Sequence, residues 1–230
     1  IVSAHPGVVV PMRKYFETVS DVGRYQAAFG NTLSIDQPEC VFPGDIAAFI
    51  RVPFGPNEDE EAKYRETRPG SFGLKTHKMD LMDGHKLAPC VAQADRLAED
   101  PRFHDAWQMH RHCLIPAESI ILRTFAHGRP ALKRVRRADG LPLALAGLWH
   151  GEKIDERWEY SFVALSLAAD RSELLPFSVE SQPSGLMPVI VPEGAYDDWL
   201  TAPVKQSHHY MHPYPAERLV SESLTRTPGT

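Results

Sequence analysis

Apolar residues along this chain fall mostly in short blocks of strand length. Cys113 to Thr124, Pro130 to Arg137 and Leu143 to Trp149 follow one another, separated by Gly128 and by Asp139-Gly140. Asp-Gly between two such runs predicts a hairpin. Ser161 to Ala168 and Met187 to Val191 predict two further strands, and Val41 to Val52 holds a short strand after a proline turn. Near-helical spacing is confined to Ala92 to His110, with Leu97, Phe103, Trp107 and His110 on one side and a break at Asp100-Pro101, and to a short helix beginning at Tyr196 to Leu200. Pro56 to Gly70, with Pro and Gly at its ends, reads as a polar loop. Strands in meander order, with helices before and after, predict an α+β fold rather than the regular alternation of a parallel sheet.

Composition narrows this little. A chain of 230 residues and 25.8 kDa can form one sizeable core, so residues 1–230 are taken as one domain. No apolar run approaches the roughly 20 residues that span a bilayer. Cys40, Cys90 and Cys113 lack the spacing of a disulfide framework or metal clip, and the start, IVSAHPGVVV, lacks the pattern of a secretory signal. A cytoplasmic location is expected. His110, His112 and Cys113, with His208, His209 and His212, are residue types that bind zinc, but alternation sends His112 and Cys113 to opposite faces of a strand. No metal or cofactor is expected.

Charge is more informative. The net charge of -5 argues against nonspecific coating of nucleic acid, yet Arg123, Arg129, Lys133, Arg134, Arg136 and Arg137 fall within one stretch. That stretch reads either as a phosphate-contacting hairpin or as a solvated strand pair.

Six pieces in order carry a resemblance: Pro101-Arg102-Phe103 with Asp105-Ala106-Trp107; Arg111 to Ala117 (RHCLIPA); Pro142 to Trp149; Ser161-Phe162; Leu186 to Val191 with Trp199-Leu200; and Tyr214-Pro215. Together they resemble the SOS-response-associated peptidase (SRAP) family, whose members bind single-stranded DNA and cross-link to abasic sites, and which includes phage copies. The resemblance implies one SRAP-like domain with a mixed, largely antiparallel, strongly bent and barrel-like sheet flanked by helices. It implies single-stranded or abasic DNA as partner.

The family's reactive positions are a different matter. Its amino-terminal MCGR supplies a cysteine whose amine and thiol close a ring on the abasic aldehyde. Either Met12-Arg13-Lys14-Tyr15 occupies that place, or an MCGR segment precedes Ile1. The family's NARxET segment lines up with Val91 to Arg96, which sets Val91 for the Asn and Gln93 for the phosphate-binding Arg. The catalytic Glu of its PADGFYEW segment falls on Leu122, with Glu118 the nearest acid, and the His of HxRMPVI falls on Ser184. The base-stacking aromatic of WGL becomes Phe72. The DNA-contacting candidates are therefore Phe72, Gln93, Arg123, Arg134 and Arg136. Two functions remain open: an abasic-site-binding protein that cross-links only if a cysteine lies upstream of Ile1, or a catalytically inactive relative with a binding or regulatory role. Whether the chain is an enzyme stays undecided at this level.

Overall fold

In the computed structural model the chain is described over residues 15–53, 64–76, 88–126, 129–168 and 186–224. Its strands in chain order are β1 (Phe16–Glu17), β2 (Cys40–Val41), β3 (Ile46–Arg51), β4 (Glu66–Phe72), β5 (Val91–Gln93), β6 (His112–Ala117), β7 (Ser119–Ala126), β8 (Arg129–Arg137), β9 (Leu143–Ile154), β10 (Arg157–Ala168), β11 (Leu186–Pro188) and β12 (Leu219–Leu224). The helices are short: α1 (Val22–Phe29), α2 (His104–Gln108), α3 (Tyr196–Thr201) and α4 (Val204–Ser207). None is long and apolar enough to cross a membrane.

β10 pairs with β4, β4 with β3, β3 with β6, β6 with β9, and β9 with β10 again, so this sheet closes on itself as a barrel. β5 runs parallel to the far part of β10 and β11 runs antiparallel to its end. A second sheet, in the order β12-β8-β7-β1-β2, lies against one face of the first. Phe16, Val41, Ile120 and Val135 of this second sheet join Phe49, Phe72, Cys113, Trp149 and Phe162 of the barrel in one apolar cluster, here called the inner cluster. The opposite face of the barrel packs Ile50, Leu114, Leu148, Val163 and Leu165 under Tyr25 and Phe29 of α1, Trp107 of α2 and Trp199 of α3. Strands covered on both faces need apolar residues throughout, which is why β6 is buried along its whole length and Leu143 to Trp149 shows no polar alternation.

Two sequence expectations change here. Asp139-Gly140 does form a tight turn, with Gly140 at φ +76° and Asp139 Oδ1 accepting from the Leu141 amide. It does not form a hairpin, because β8 belongs to the second sheet and β9 to the barrel. The two-residue hairpin lies further on, at Asp155 and Glu156 between β9 and β10, where both have positive φ (47° and 66°) as a type I′ turn requires. Glu156→Gly is accordingly expected to raise stability by about 1 kcal/mol in urea denaturation, since Gly enters this region without the side-chain penalty. Similarly, Cys113 to Thr124 is not one strand. The chain turns at Glu118, whose amide donates to the Glu17 carbonyl, and passes from barrel to second sheet.

Two further segments differ in kind. Residues 66–70, expected in a polar loop, are strand β4. Ala92 to His110 holds the end of β5, a 3-10 turn at Ala94–Arg96 and only five helical residues in α2.

Candidate nucleic-acid interface

β5 and the β7–β8 hairpin present the residues that matter. Ala92 is buried among the outer-face residues with Leu165, so alternation turns Val91 and Gln93 to the inner side, where Val91 lies opposite Ala164 and Gln93 opposite Ser166. On β7, Ile120 belongs to the inner cluster and Leu122, two residues on, packs against it while staying partly exposed. Tyr15, just ahead of β1, packs on the same cluster with its ring 5.1 Å from Phe72. Alternation turns Val91, Gln93 and Leu122 toward the inner side. Two of the three are hydrocarbon.

Phe72 is a correction. Only 1% of it is exposed, and Tyr15, Phe16 and Phe162 surround its ring at 5.1, 5.3 and 5.5 Å. It is a core residue beneath the site with no face left for a base to stack on.

The basic candidates divide by the same alternation. Val135 is in the inner cluster, so Arg134 and Arg136 point to the outer face of the second sheet. There Arg134 is bound by Glu17 at 2.6 Å and Glu222 at 2.9 Å, and those hydrogen bonds, Glu17's foremost, raise its pKa further above the ordinary guanidinium value. Ser119 completes this ladder by donating to Glu17 at 2.6 Å. Arg136 is exposed and has no ion-pair partner among the described residues. Arg123 lies in β7 opposite Leu132; its side chain is outside the described residues, as is Ser184. Glu118 is held by Arg24 of α1 through contacts of 2.8 and 3.1 Å, at the corner between the sheets rather than beside Leu122.

Lys133 is the residue whose position the sequence did not mark. It is directly opposite Leu122 on β7 and Ser223 on β12, on the inner side. Its signal was available only through register: counting by two from Val135 puts Lys133 inward and Arg134 outward.

Neither buried thiol serves the site. Burial pushes the Cys90 thiol up to about 12 and the Cys113 thiol well above its ordinary value. The histidines do not form a metal centre either: among the described residues no group of three or more His, Cys, Asp or Glu could hold an ion. Cys113 faces the inner cluster, whereas His112 stacks on Trp199 with ring centres 4.3 Å apart on the other side. A cleft of about 500 Å³ between α1 and the Asp139-Gly140 corner is lined by Arg24, Arg137, Leu141 and Tyr196. Its guanidinium groups are already bound by Glu118 and Asp139.

No curated protein matches the sequence. A crystal structure of a Bordetella bronchiseptica protein is 31% identical, with a TM-score of 0.80 over 93% of this chain and 100% of its own. A Bacteroides thetaiotaomicron protein, 13% identical over 93% of this chain and 92% of its own, has a TM-score of 0.71. A phage-related Bordetella bronchiseptica protein, 15% identical over 93% and 95%, has a TM-score of 0.64. The family model for SOS response associated peptidase (SRAP) matches residues 12–227, a span that begins at Met12-Arg13-Lys14-Tyr15. The chain belongs to the SRAP family.

Proposed function

We propose that this protein binds single-stranded DNA at abasic sites on the inner side of the barrel, as part of a DNA-damage response, and that it does so without the family's thiol-based cross-link. Family membership supports an SRAP-like activity. The observation that carries the rest is the pair Val91 and Leu122. Both face the inner side at the positions where the resemblance sets an asparagine and a glutamate, and neither side chain can hold or move a proton. The family match includes Met12 to Tyr15, the segment that one of the two readings sets against the family's MCGR. A kept scaffold around unreactive positions suits a binding protein, and the likeness to a phage-related protein suits a phage origin.

The test uses a labelled single strand carrying a stable tetrahydrofuran abasic analogue. Saturable binding that weakens as salt rises is expected. After incubation with a natural abasic strand, denaturing electrophoresis should show no heat-stable adduct. A heat-stable adduct would overturn the non-covalent part of the reading, and absence of binding to any single strand would overturn all of it. Arg136→Glu, on the outer face, should change affinity by less than about twofold.

A further inference from the structure

The row Leu122–Lys133–Ser223 crosses three adjacent strands at the inner side of the second sheet. Lys133 is the cation in this row, and its setting differs from that of the arginines around it. Arg134 is bound by Glu17 and Glu222, Arg137 by Asp139 and Glu193, and Arg24 by Glu118. Lys133 has no ion-pair partner among the described residues, and it is half-buried. Next to it on this side are Leu122 across the ladder and Val135 two residues along, with Ile120 beyond, all hydrocarbon, and on the β12 side the uncharged Ser223. A primary amine against hydrocarbon, with no carboxylate to occupy it, is placed as a nucleophile toward a carbonyl rather than as one half of an ion pair. The competing nucleophiles among the described residues are poorly placed. Cys90 and Cys113 are buried, the partly exposed Cys40 precedes the inward Val41 and so faces outward, and Ser119 faces outward with its hydroxyl donated to Glu17.

We infer that Lys133 forms a reversible imine with the aldehyde of an abasic deoxyribose bound on the inner side of the barrel. The inference rests on the proposed DNA-binding reading and gives it a chemistry of its own. The amine nitrogen Nζ attacks C1′ of the open sugar and forms the N–C bond. The former carbonyl oxygen leaves as water, taking up the protons released from the amine. Hydrolysis runs the same steps backward, so the adduct does not survive denaturation unless it is reduced. No cofactor enters, and oxidation state is unchanged.

Borohydride trapping tests this. The full chain is incubated with an abasic single strand, reduced, and resolved on a denaturing gel, while binding is measured separately on the tetrahydrofuran strand, which has no aldehyde. Expected are a trapped species with the unsubstituted protein, a loss of about tenfold or more in Lys133→Arg and Lys133→Ala, and retained tetrahydrofuran binding in Lys133→Arg, which keeps the charge. Peptide mapping should place the reduced sugar on Lys133. If the tetrahydrofuran strand binds but nothing is trapped, the imine falls and the binding function stands. If Lys133→Arg still traps, another amine reacts and the assignment is overturned. If no single strand binds, the inference falls together with the function on which it rests.

Discussion

Replacing Gly147 with Ala is expected to destabilise the fold by about 3 kcal/mol or more. Gly147 lies in β9, between Cys113 of β6 on one side and Ala164 of β10 on the other. A methyl group there would stand 2.6 Å from the Val163 carbonyl oxygen, 2.8 Å from Cys113 Sγ and 3.0 Å from Ile115 Cδ1. The first of these contacts is decisive, because that carbonyl belongs to the backbone of the neighbouring strand and can move only if the barrel opens. The position demands the absence of a side chain and not an unusual φ. Gly140→Ala provides the contrast: Gly140 has φ +76° but nothing within 4 Å of an added carbon, so its cost should be about 1 kcal/mol. Denaturant unfolding of the two variants separates the mechanisms. A Gly147→Ala protein within about 1 kcal/mol of the parent would sink the argument.

Stability should also fall by about 3 kcal/mol as pH drops from 6.5 to 4, through one residue more than any other. His112 is 1% exposed and stacked on Trp199, with Trp107 5.5 Å away. Its Nε2 is 3.3 Å from the Ser207 hydroxyl, which itself donates to the Pro203 carbonyl, so the neutral ring carries its proton on Nε2. Nδ1 is buried without a partner. Burial first, and the neighbouring His110 second, lower its pKa to about 4. A folded value below the unfolded value means the neutral form stabilises the fold. That contribution is complete above about pH 6.5 and is lost as pH falls toward 4, because the unfolded chain binds a proton that the folded one refuses. His150, also lowered mainly by burial, acts in the same direction. Asp100 and Asp139, lowered chiefly by Arg102 and Arg137, lose their contributions only at more acidic pH. Denaturant midpoints at pH 7 and 4.5 should therefore differ less in His112→Phe, which keeps a ring against Trp199 and removes the titration. Equal differences in both proteins would assign the acid sensitivity elsewhere.

What could be read from the sequence follows from how local the cause of each feature is. The strands around Leu143 to Trp149 and Ser161 to Ala168 are long apolar runs, and both lie within observed strands. Asp139-Gly140 was correctly a turn, but which strand the next one joins depends on partners distant in sequence. β4 was hidden by Pro69 and Gly70. Gly70 is required because the Phe49 ring would be 2.8 Å from an added methyl, and Ala48, opposite Pro69, donates its amide to Gln37 instead. At the site, the resemblance picks out Val91 and Leu122, both of which alternation turns inward. It could not separate Arg134 from Lys133. Adjacent residues on a strand differ only in which face they reach, and a basic stretch read as composition carries no faces.

The pairing of β1 with β7 sets an order for synthesis. Ser119 and Glu17, linked by a hydrogen bond, are 102 residues apart, so at 5–20 residues per second the first strand waits roughly 5 to 20 s for its partner to leave the ribosome. During that time β1 and β2 have only each other and no third strand, and Phe16 and Val41 lack the cluster that later buries them. Phe16 and Val41 thus stay open to aggregation until β7 emerges.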